Sequence, residues 1–246
     1  MKADHIAIII IGLFTSSLIG QINTESMRDS NEKIGVEQNL NFSFTYISGS
    51  SEFMILNGFY RIDYHSNSKW HGFFIVKYDR SFEKAQEDFS HRGFGHLRAI
   101  NRFLPQIYSE SFIQKEFNYF IDLENRELAG LGLRFKMKDQ LYIGIGGMHE
   151  KEVYKQNSER TFLKSTNYIN HAFQMMENVE ITNIIYYQFQ LESMDQYRLL
   201  WDSTFNLQAA EWLSFHINLH YRYDISDLNP DGNSYFELTN GIGIYF

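Results

Sequence analysis

The sequence predicts an all-β chain, folded as an antiparallel up-and-down transmembrane β-barrel of twelve strands, with ten strands as the alternative. Apolar and polar residues alternate with a period of two in run after run, which is typical of strands with one apolar and one polar face. The chain is 17% aromatic yet contains only 2 Pro, which favours long, regular strands. After residue 20 no segment approaches the ~18 consecutive apolar residues of a membrane-spanning helix.

The first twenty residues form a separate element. Lys2 lies in a short polar start, residues 6–14 are almost wholly apolar, and small residues precede a cleavage point before Gln21. This is the layout of a secretory signal peptide, and its apolar run is too short for a permanent span. The predicted parts are a signal peptide at 1–20, a polar periplasmic lead-in without firm structure at 21–39, and an outer-membrane β-barrel at 40–246.

Alternation is clearest in the last hairpin. Residues 213–225 place apolar side chains at odd positions and polar ones at even positions, and a turn-rich segment follows at 226–234. Residues 236–246 alternate again, with one interruption at Asn240. Strands of about 10 residues can cross ~25 Å of hydrocarbon at a tilt. In the last strand, the outward apolar residues are predicted to form a barrel-assembly signal: Ile242, Ile244 and Phe246.

Ten earlier runs follow the same rule in order. They are predicted at residues 40–46, 54–64, 70–79, 91–103, 113–123, 129–137, 141–152, 164–176, 179–191 and 197–207. Turn-forming residues separate them, Pro105 ends the fourth strand, and a tight turn is predicted at 124–125. An even number of strands returns both ends of the barrel to the same side, with short connections on that side and longer ones opposite.

Most of the charged residues of these strands fall on the polar face. A charge facing lipid costs about 2–4 kcal/mol near the midplane, so we expect this face to line the lumen. The candidate lumen-lining residues are Arg61, Asp63, Arg98, Arg102, Glu116, Asp122, Arg134, Glu150, Glu152, Arg198, Asp202, Arg222, Asp224 and Glu237. Salt bridges among them could fill the lumen, or they could form a selectivity lining, and Glu116 is expected to pair with Arg134.

Several classes of function are disfavoured. A net charge of -8 argues against a nucleic-acid partner, and zero Cys removes disulfides, thiolate catalysis and cysteine zinc sites. The chain contains neither G-x-S-x-G nor H-E-x-x-H. His216 and His220 share a strand face but lie about 13–14 Å apart, too far to share a metal ion. We therefore expect no catalysis, no cofactor and no metal.

Three segments resemble the YdiY-like family of uncharacterised outer-membrane proteins described as salt-induced. They are residues 110–118, with the pattern E-x-F-x-Q and an aromatic-Asn pair, residues 127–135, with L-x-G-x-G-L-R-aromatic, and residues 146–152, ending in two alternate glutamates. Tyr197-Arg198 and Tyr223-Asp224 lie where the family shows similar pairs. The resemblance implies an outer-membrane β-barrel and brings no known catalytic residues.

Three functions stay open at this point. The first is a narrow channel or passive transporter, and the second is a structural or stress-related envelope barrel with a closed, charge-filled lumen. A lipid-modifying enzyme is the third, and it would need a Ser or His facing lipid at the outer leaflet. The expected location is the bacterial outer membrane. The expected partners are its lipid and lipopolysaccharide, the barrel-assembly machinery through the last strand, and a small solute of unknown identity.

Overall fold

A computed structural model of the chain describes Glu25 and residues 34–48, 52–66, 69–83, 88–155, 159–226 and 229–244. Within these residues the chain forms twelve strands and one three-residue 3-10 helix, Tyr119–Ile121. The strands are β1 (Gly35–Ser48), β2 (Glu52–His65), β3 (Trp70–Glu83), β4 (Asp88–Leu104), β5 (Ile107–Asn118), β6 (Leu123–Lys138), β7 (Leu141–Tyr154), β8 (Glu159–Met176), β9 (Val179–Gln190), β10 (Tyr197–Ala210), β11 (Leu213–Ser226) and β12 (Asn229–Ile244). The predicted count of twelve is confirmed.

All twelve strands belong to one antiparallel sheet, and their order follows the chain from β1 to β12. The up-and-down topology is therefore confirmed. Among the described residues no ladder joins β12 to β1. A contact between strands that are not neighbours shows that the sheet is strongly curled. The Tyr168 hydroxyl on β8 donates to the Glu110 carboxylate on β5 at 3.1 Å. In a flat sheet, strands spaced by ~4.8 Å would keep these two side chains too far apart.

The two ends of the sheet differ. The start of β1, the end of β12 and four two-residue connections, at 105–106, 139–140, 177–178 and 211–212, lie at one end, called here the terminus end. The opposite end is called the loop end, and its described connections include 119–122 and 191–196. The predicted contrast between short and longer connections holds for these segments but was wrong for the last hairpin. β11 ends at Ser226 and β12 already begins at Asn229, so most of the predicted turn-rich segment at 226–234 is strand paired with β11. No helix within the described residues is long and apolar enough to span a membrane.

Some predicted boundaries were wrong. Glu124 and Asn125 do not form a turn, because both lie inside β6. The chain turns instead at the 3-10 helix and Asp122, which has a φ of 57°. β1 begins at Gly35 rather than at residue 40. The predicted signal peptide lies outside the described residues, as does most of the predicted lead-in.

Apolar side chains cover the outer face of the sheet, and polar or charged ones cover most of the inner face. Leu131, for example, is 70% exposed on the outer face of β6. Arg126 and Arg134, at even positions of the same strand, lie on the inner face and are buried. Two small apolar clusters also lie on the inner face: Phe73, Ile75, Phe94 and Ile100, and Tyr168, Ile184, Tyr186 and Leu200. The distribution is the reverse of a water-soluble fold, in which charges are seldom buried.

Candidate functional site

Most of the predicted lumen-lining residues lie on the inner face of the curled sheet. Strand register brings several of them opposite each other, as with Arg198 and Asp224 on β10 and β11. Those placed on the inner face are Arg61, Asp63, Arg98, Glu116, Arg134, Glu150, Glu152, Arg198, Asp202, Arg222, Asp224 and Glu237.

Two predicted residues do not line the enclosed part of the lumen. Asp122 was wrongly placed on a strand; it lies in the loop-end turn, is largely exposed and contacts Lys155 at 3.7 Å. Arg102 has the register of the inner face but is exposed at the terminus end, where it donates to the Pro105 carbonyl oxygen at 2.9 Å. Neither residue can therefore act inside the lumen.

Arg126 lies at the centre of a buried ion network in the half of the lumen nearer the loop end. Its guanidinium contacts three carboxylates from β5 and β7, which belong to Glu116, Glu150 and Glu152. The Arg126 side chain is only 2% exposed, and the three carboxylates are buried as well. The arrangement satisfies one buried cation with charge-assisted hydrogen bonds, which are the strong ones.

The network extends from Glu150 across the lumen to β11. Lys164 on β8 contacts one Glu150 oxygen at 2.8 Å, and Arg198 on β10 contacts the other at 3.7 Å. Arg198 also binds Asp224 at 3.0 Å, and Arg222 binds the same carboxylate at 2.8 Å. Because β7 and β10 are not neighbours in the sheet, the Arg198–Glu150 contact crosses the interior rather than following its wall.

The expected pair between Glu116 and Arg134 was wrong. Glu116 stands opposite Arg126 in the β5–β6 ladder, whereas Arg134 stands opposite Tyr108. The two predicted partners are therefore separated by eight positions along β6, which places them in different halves of the lumen. Glu116 binds Arg126, and Arg134 binds a residue from outside the strands.

That residue is Glu25, which lies buried in the half of the lumen nearer the terminus end. One of its carboxylate oxygens accepts a hydrogen bond from Arg98 at 2.8 Å. The other accepts from Arg134 and, at 3.3 Å, from Asn170. The predicted lead-in is thus anchored inside the curled sheet at this residue, a contact that the sequence analysis did not foresee.

A cluster of possible metal ligands lies at the terminus end of β2 and β3. Asp63, His65 and His71 each offer one ligand atom, and these atoms lie within 4.8 Å of one another. Two imidazoles and a carboxylate form a ligand set that Zn²⁺ accepts. Arg61 already engages both Asp63 oxygens, at 2.6 Å for Oδ1 and through Nε for Oδ2. A cation would have to compete with this guanidinium, so we interpret the cluster as an ion pair beside two stacked imidazoles.

An outward-facing Ser and His would favour a lipid-modifying enzyme, and both residue types occur on the outer face of β7 and β8. In the β7–β8 ladder His149 stands opposite Leu163. Ser165 stands opposite Gly147, two residues away along each strand. The Ser165 hydroxyl donates to the Gly146 carbonyl oxygen at 3.4 Å and accepts from the Asn167 amide at 2.9 Å. Its proton is therefore directed to the backbone and not to an imidazole, which leaves the serine without the base that activates a nucleophile.

Nine buried polar residues of the described chain were not among the predicted lumen-lining residues. They are Glu25, His65, His96, Glu110, Gln114, Asn118, Arg126, Lys164 and Gln188. Arg126 was lost with the misplaced turn at 124–125, and Lys164 lay in a run whose alternation is weak. Gln114 and Gln188 were recognised as inward but carry no charge, so they were not selected. No sequence pattern marked Glu25 as a lumen residue, because it lies outside the alternating runs.

Comparisons with known proteins identify a family. The profile described as "Protein of unknown function, DUF481" matches residues 40–243. No curated protein matches the chain in sequence. Among solved structures the chain is similar to one titled "NanC porin structure in rhombohedral crystal form", at 9% identity and a TM-score of 0.46, over 85% of this chain and 100% of that one. The family match agrees with the resemblance to YdiY-like proteins, and the chain belongs to the DUF481 family of proteins of unknown function.

Proposed function

We propose that this chain is an outer-membrane β-barrel whose lumen is closed by buried ion pairs. It would act as a structural or stress-related protein of the envelope and would not form a permanently open pore. The membrane location is supported by the outer face of the sheet. Leu131, Ile113 and Ile145 are each more than half exposed at the middle of their strands. Such a continuous apolar surface is costly in water and suits contact with lipid.

Contacts between strands that are not neighbours support the closed lumen. Tyr168 reaches Glu110 across two intervening strands, and Arg198 reaches Glu150 in the same way. Both contacts lie inside the curled sheet and fill part of the space that it encloses. One cavity inside the curled sheet, lined by Arg98, Glu110 and Tyr168 among others, has a volume of about 40 Å³, which is room for only a few water molecules. These two contacts between strands that are not neighbours, one a hydrogen bond and the other an ion pair, are the observation on which the proposal rests.

Conductance in a planar bilayer tests the proposal directly. We expect the refolded full-length protein to give no steady current steps, although protease protection in vesicles shows that it has inserted. Detergent alone, at the same dilution, is the control for leakage. Steady, ion-selective steps from wild-type protein would contradict a closed lumen and would make the inner-face charges a selectivity filter.

A narrow channel is the second candidate, and the position of Glu25 favours it. Glu25 belongs to no strand, so its side chain could leave the lumen without breaking a ladder. The variant Glu25→Ala should then conduct more than wild type at the same inserted amount. The variant Glu237→Ala removes a different inner-face carboxylate, which accepts a hydrogen bond from Tyr235 at 2.6 Å, and it serves as the matched control. Equal conductance of the two variants would argue against this candidate.

We also propose the partners that an outer-membrane location requires. Lipid and lipopolysaccharide would contact the outer apolar face, and the barrel-assembly machinery would recognise the last strand. Ile242 and Ile244 lie on the outer face of β12 and are about half exposed, which supports this role. Phe246, the third residue of the predicted signal, lies outside the described residues.

A further inference from the structure

Three strands build a site around the Glu25 carboxylate. Arg98 from β4, Arg134 from β6 and Asn170 from β8 all direct donors at its two oxygens. Both arginine side chains are about 5% exposed or less, and the Glu25 side chain is fully buried. The donors belong to the sheet, whereas the carboxylate does not. The sheet therefore presents a preformed arrangement of donors for one carboxylate.

The charges around this position require an anion. Glu110 is the second carboxylate of the cluster; it contacts Arg98 at 3.5 Å and accepts from Tyr168 at 3.1 Å. The Tyr168 hydroxyl in turn lies 3.3 Å from Arg134. Within these contacts two guanidinium groups balance two carboxylates. Among these contacts Glu25 is the carboxylate that pairs with Arg134, and removing one partner of a buried ion pair is strongly unfavourable. A free anion would relieve that cost.

A cavity adjoins the cluster at Arg98, Glu110 and Tyr168. Its volume is about 40 Å³, and its lining includes Arg98, Glu110, Phe112 and Gln188. Gln188 is 2% exposed, and its Nε2 donates to the Thr166 hydroxyl at 3.2 Å. Its Oε1 has no hydrogen-bond partner among the described residues. A buried acceptor without a donor is costly, so this oxygen is suited to receive a hydroxyl or amide proton from a ligand.

We infer that these residues form a binding site for a short hydroxycarboxylate, with Glu25 holding the carboxylate position in the structure described. The ligand carboxylate would bind Arg98, Arg134 and Asn170, and its hydroxyl would donate to Gln188. The small cavity restricts the body of the ligand to a few atoms. The inference rests on the proposed function in one respect, namely that the inner face of the sheet lines the lumen of a barrel.

Chemical rescue of Glu25→Ala tests the inference. The thermal unfolding midpoint of the full-length variant in detergent micelles is measured against glycolate at constant ionic strength. We expect a saturable rise of the midpoint towards the wild-type value. Acetate lacks the hydroxyl and should need a roughly tenfold higher concentration, which is the effect of one hydrogen bond. Neutral glycolamide should have no effect. Wild type should need a far higher glycolate concentration, because its tethered carboxylate competes.

Two control variants define the site. Glu237→Ala lacks a carboxylate elsewhere in the lumen and should not respond to glycolate. The double variant Glu25→Ala/Arg134→Gln lacks a donor of the site and should lose the response. No response of Glu25→Ala, or an equal response of Glu237→Ala, overturns the inference. If Glu25→Ala refolds poorly, its refolding yield in glycolate against glycolamide becomes the readout, and equal yields overturn the inference in the same way.

Binding in micelles does not depend on whether the lumen conducts. A conducting wild-type protein would contradict the closed lumen and leave a positive rescue standing. Conversely, a failed rescue with a silent bilayer would contradict the ligand site and leave the closed barrel standing. The two proposals can therefore fail separately.

Discussion

Arg126 is the residue whose loss we expect to destabilise the fold most. Replacing it with Gln would leave three buried carboxylates, those of Glu116, Glu150 and Glu152, without their shared cation. Breaking a buried pair on one side costs about 3–5 kcal/mol. We expect a loss of this size in the free energy of unfolding, measured by urea titration of protein refolded into lipid vesicles.

Lys115 provides the matched control. It belongs to β5, binds Glu127 on β6 at 2.9 Å, and is 71% exposed on the outer face. The Lys115–Glu127 pair is not buried in the protein interior, so Lys115→Gln should lower the free energy of unfolding far less than Arg126→Gln does. Similar losses for Arg126→Gln and Lys115→Gln would show that burial does not set the strength of these ion pairs.

At the residue scale, the sequence predicted which face each charge occupies better than which partner it binds. Side chains of a strand alternate between its two faces, so an odd or even position tells which face a residue occupies. Arg98, Arg134 and Glu150 were assigned to the interior correctly in this way. The partner of a residue depends on strand register and on contacts across the interior, which alternation does not reveal. Arg98 and Glu25 are 73 positions apart, and Arg134 and Glu25 are 109 apart. No local pattern could predict those contacts.

At the scale of strands, β6 and β7 lie close together where two glycines face one another. Gly132 and Gly146 are partners in the β6–β7 ladder. A Cβ on Gly146 would lie 2.6 Å from the Leu131 carbonyl oxygen, which is a backbone atom that cannot easily move. Gly146→Ala should therefore cost about 1–3 kcal/mol through overpacking.

Gly147 is the control for this prediction. It follows Gly146 on the outer face, and a Cβ there would meet nothing nearer than the Lys164 carbonyl oxygen at 3.8 Å. Gly147→Ala should unfold at the same urea concentration as wild type or at a slightly higher one. The prediction fails if both alanine variants behave alike in the same titration.

Strands were easier to predict than their ends. A period of two is visible wherever one face is polar, and this property located all twelve strands. The turn before β6 was misplaced because Glu124 and Asn125 are typical turn residues. The structure instead turns at a 3-10 helix whose Tyr119–Ile121 sequence is aromatic and apolar and reads as strand. The local composition predicts a strand at these residues, but in the folded chain they form a turn.

At the scale of the whole molecule, the outer apolar face predicts how the protein responds to an added charge. Leu131 lies at the middle of β6, and Met137 lies on the same face near its terminus end. In a bilayer, Leu131→Arg should cost about 2–4 kcal/mol, and Met137→Arg about 0–1 kcal/mol. Urea titration in vesicles measures both. Equal costs for the two variants would contradict a membrane centred on Leu131.

The architecture as a whole was predictable, whereas the state of the lumen was not. The number of strands and their order follow from alternation and from short connections between consecutive runs. Whether the inner side chains leave a passage depends on how tightly the sheet curls and on which side chains meet across it. The contacts of Glu150 with Lys164 and Arg198 support the proposed closed lumen, and they exist only in three dimensions.

The strict order of the strands has a consequence for folding kinetics. Every ladder joins strands that are adjacent in sequence, so hairpins can form one after another with little loop-closure entropy. The contact between Arg198 and Glu150 joins strands that meet only after the sheet has curled. Weakening such late contacts speeds unfolding and scarcely slows folding. The buried charges thereby govern how long the folded state persists more than how quickly it forms.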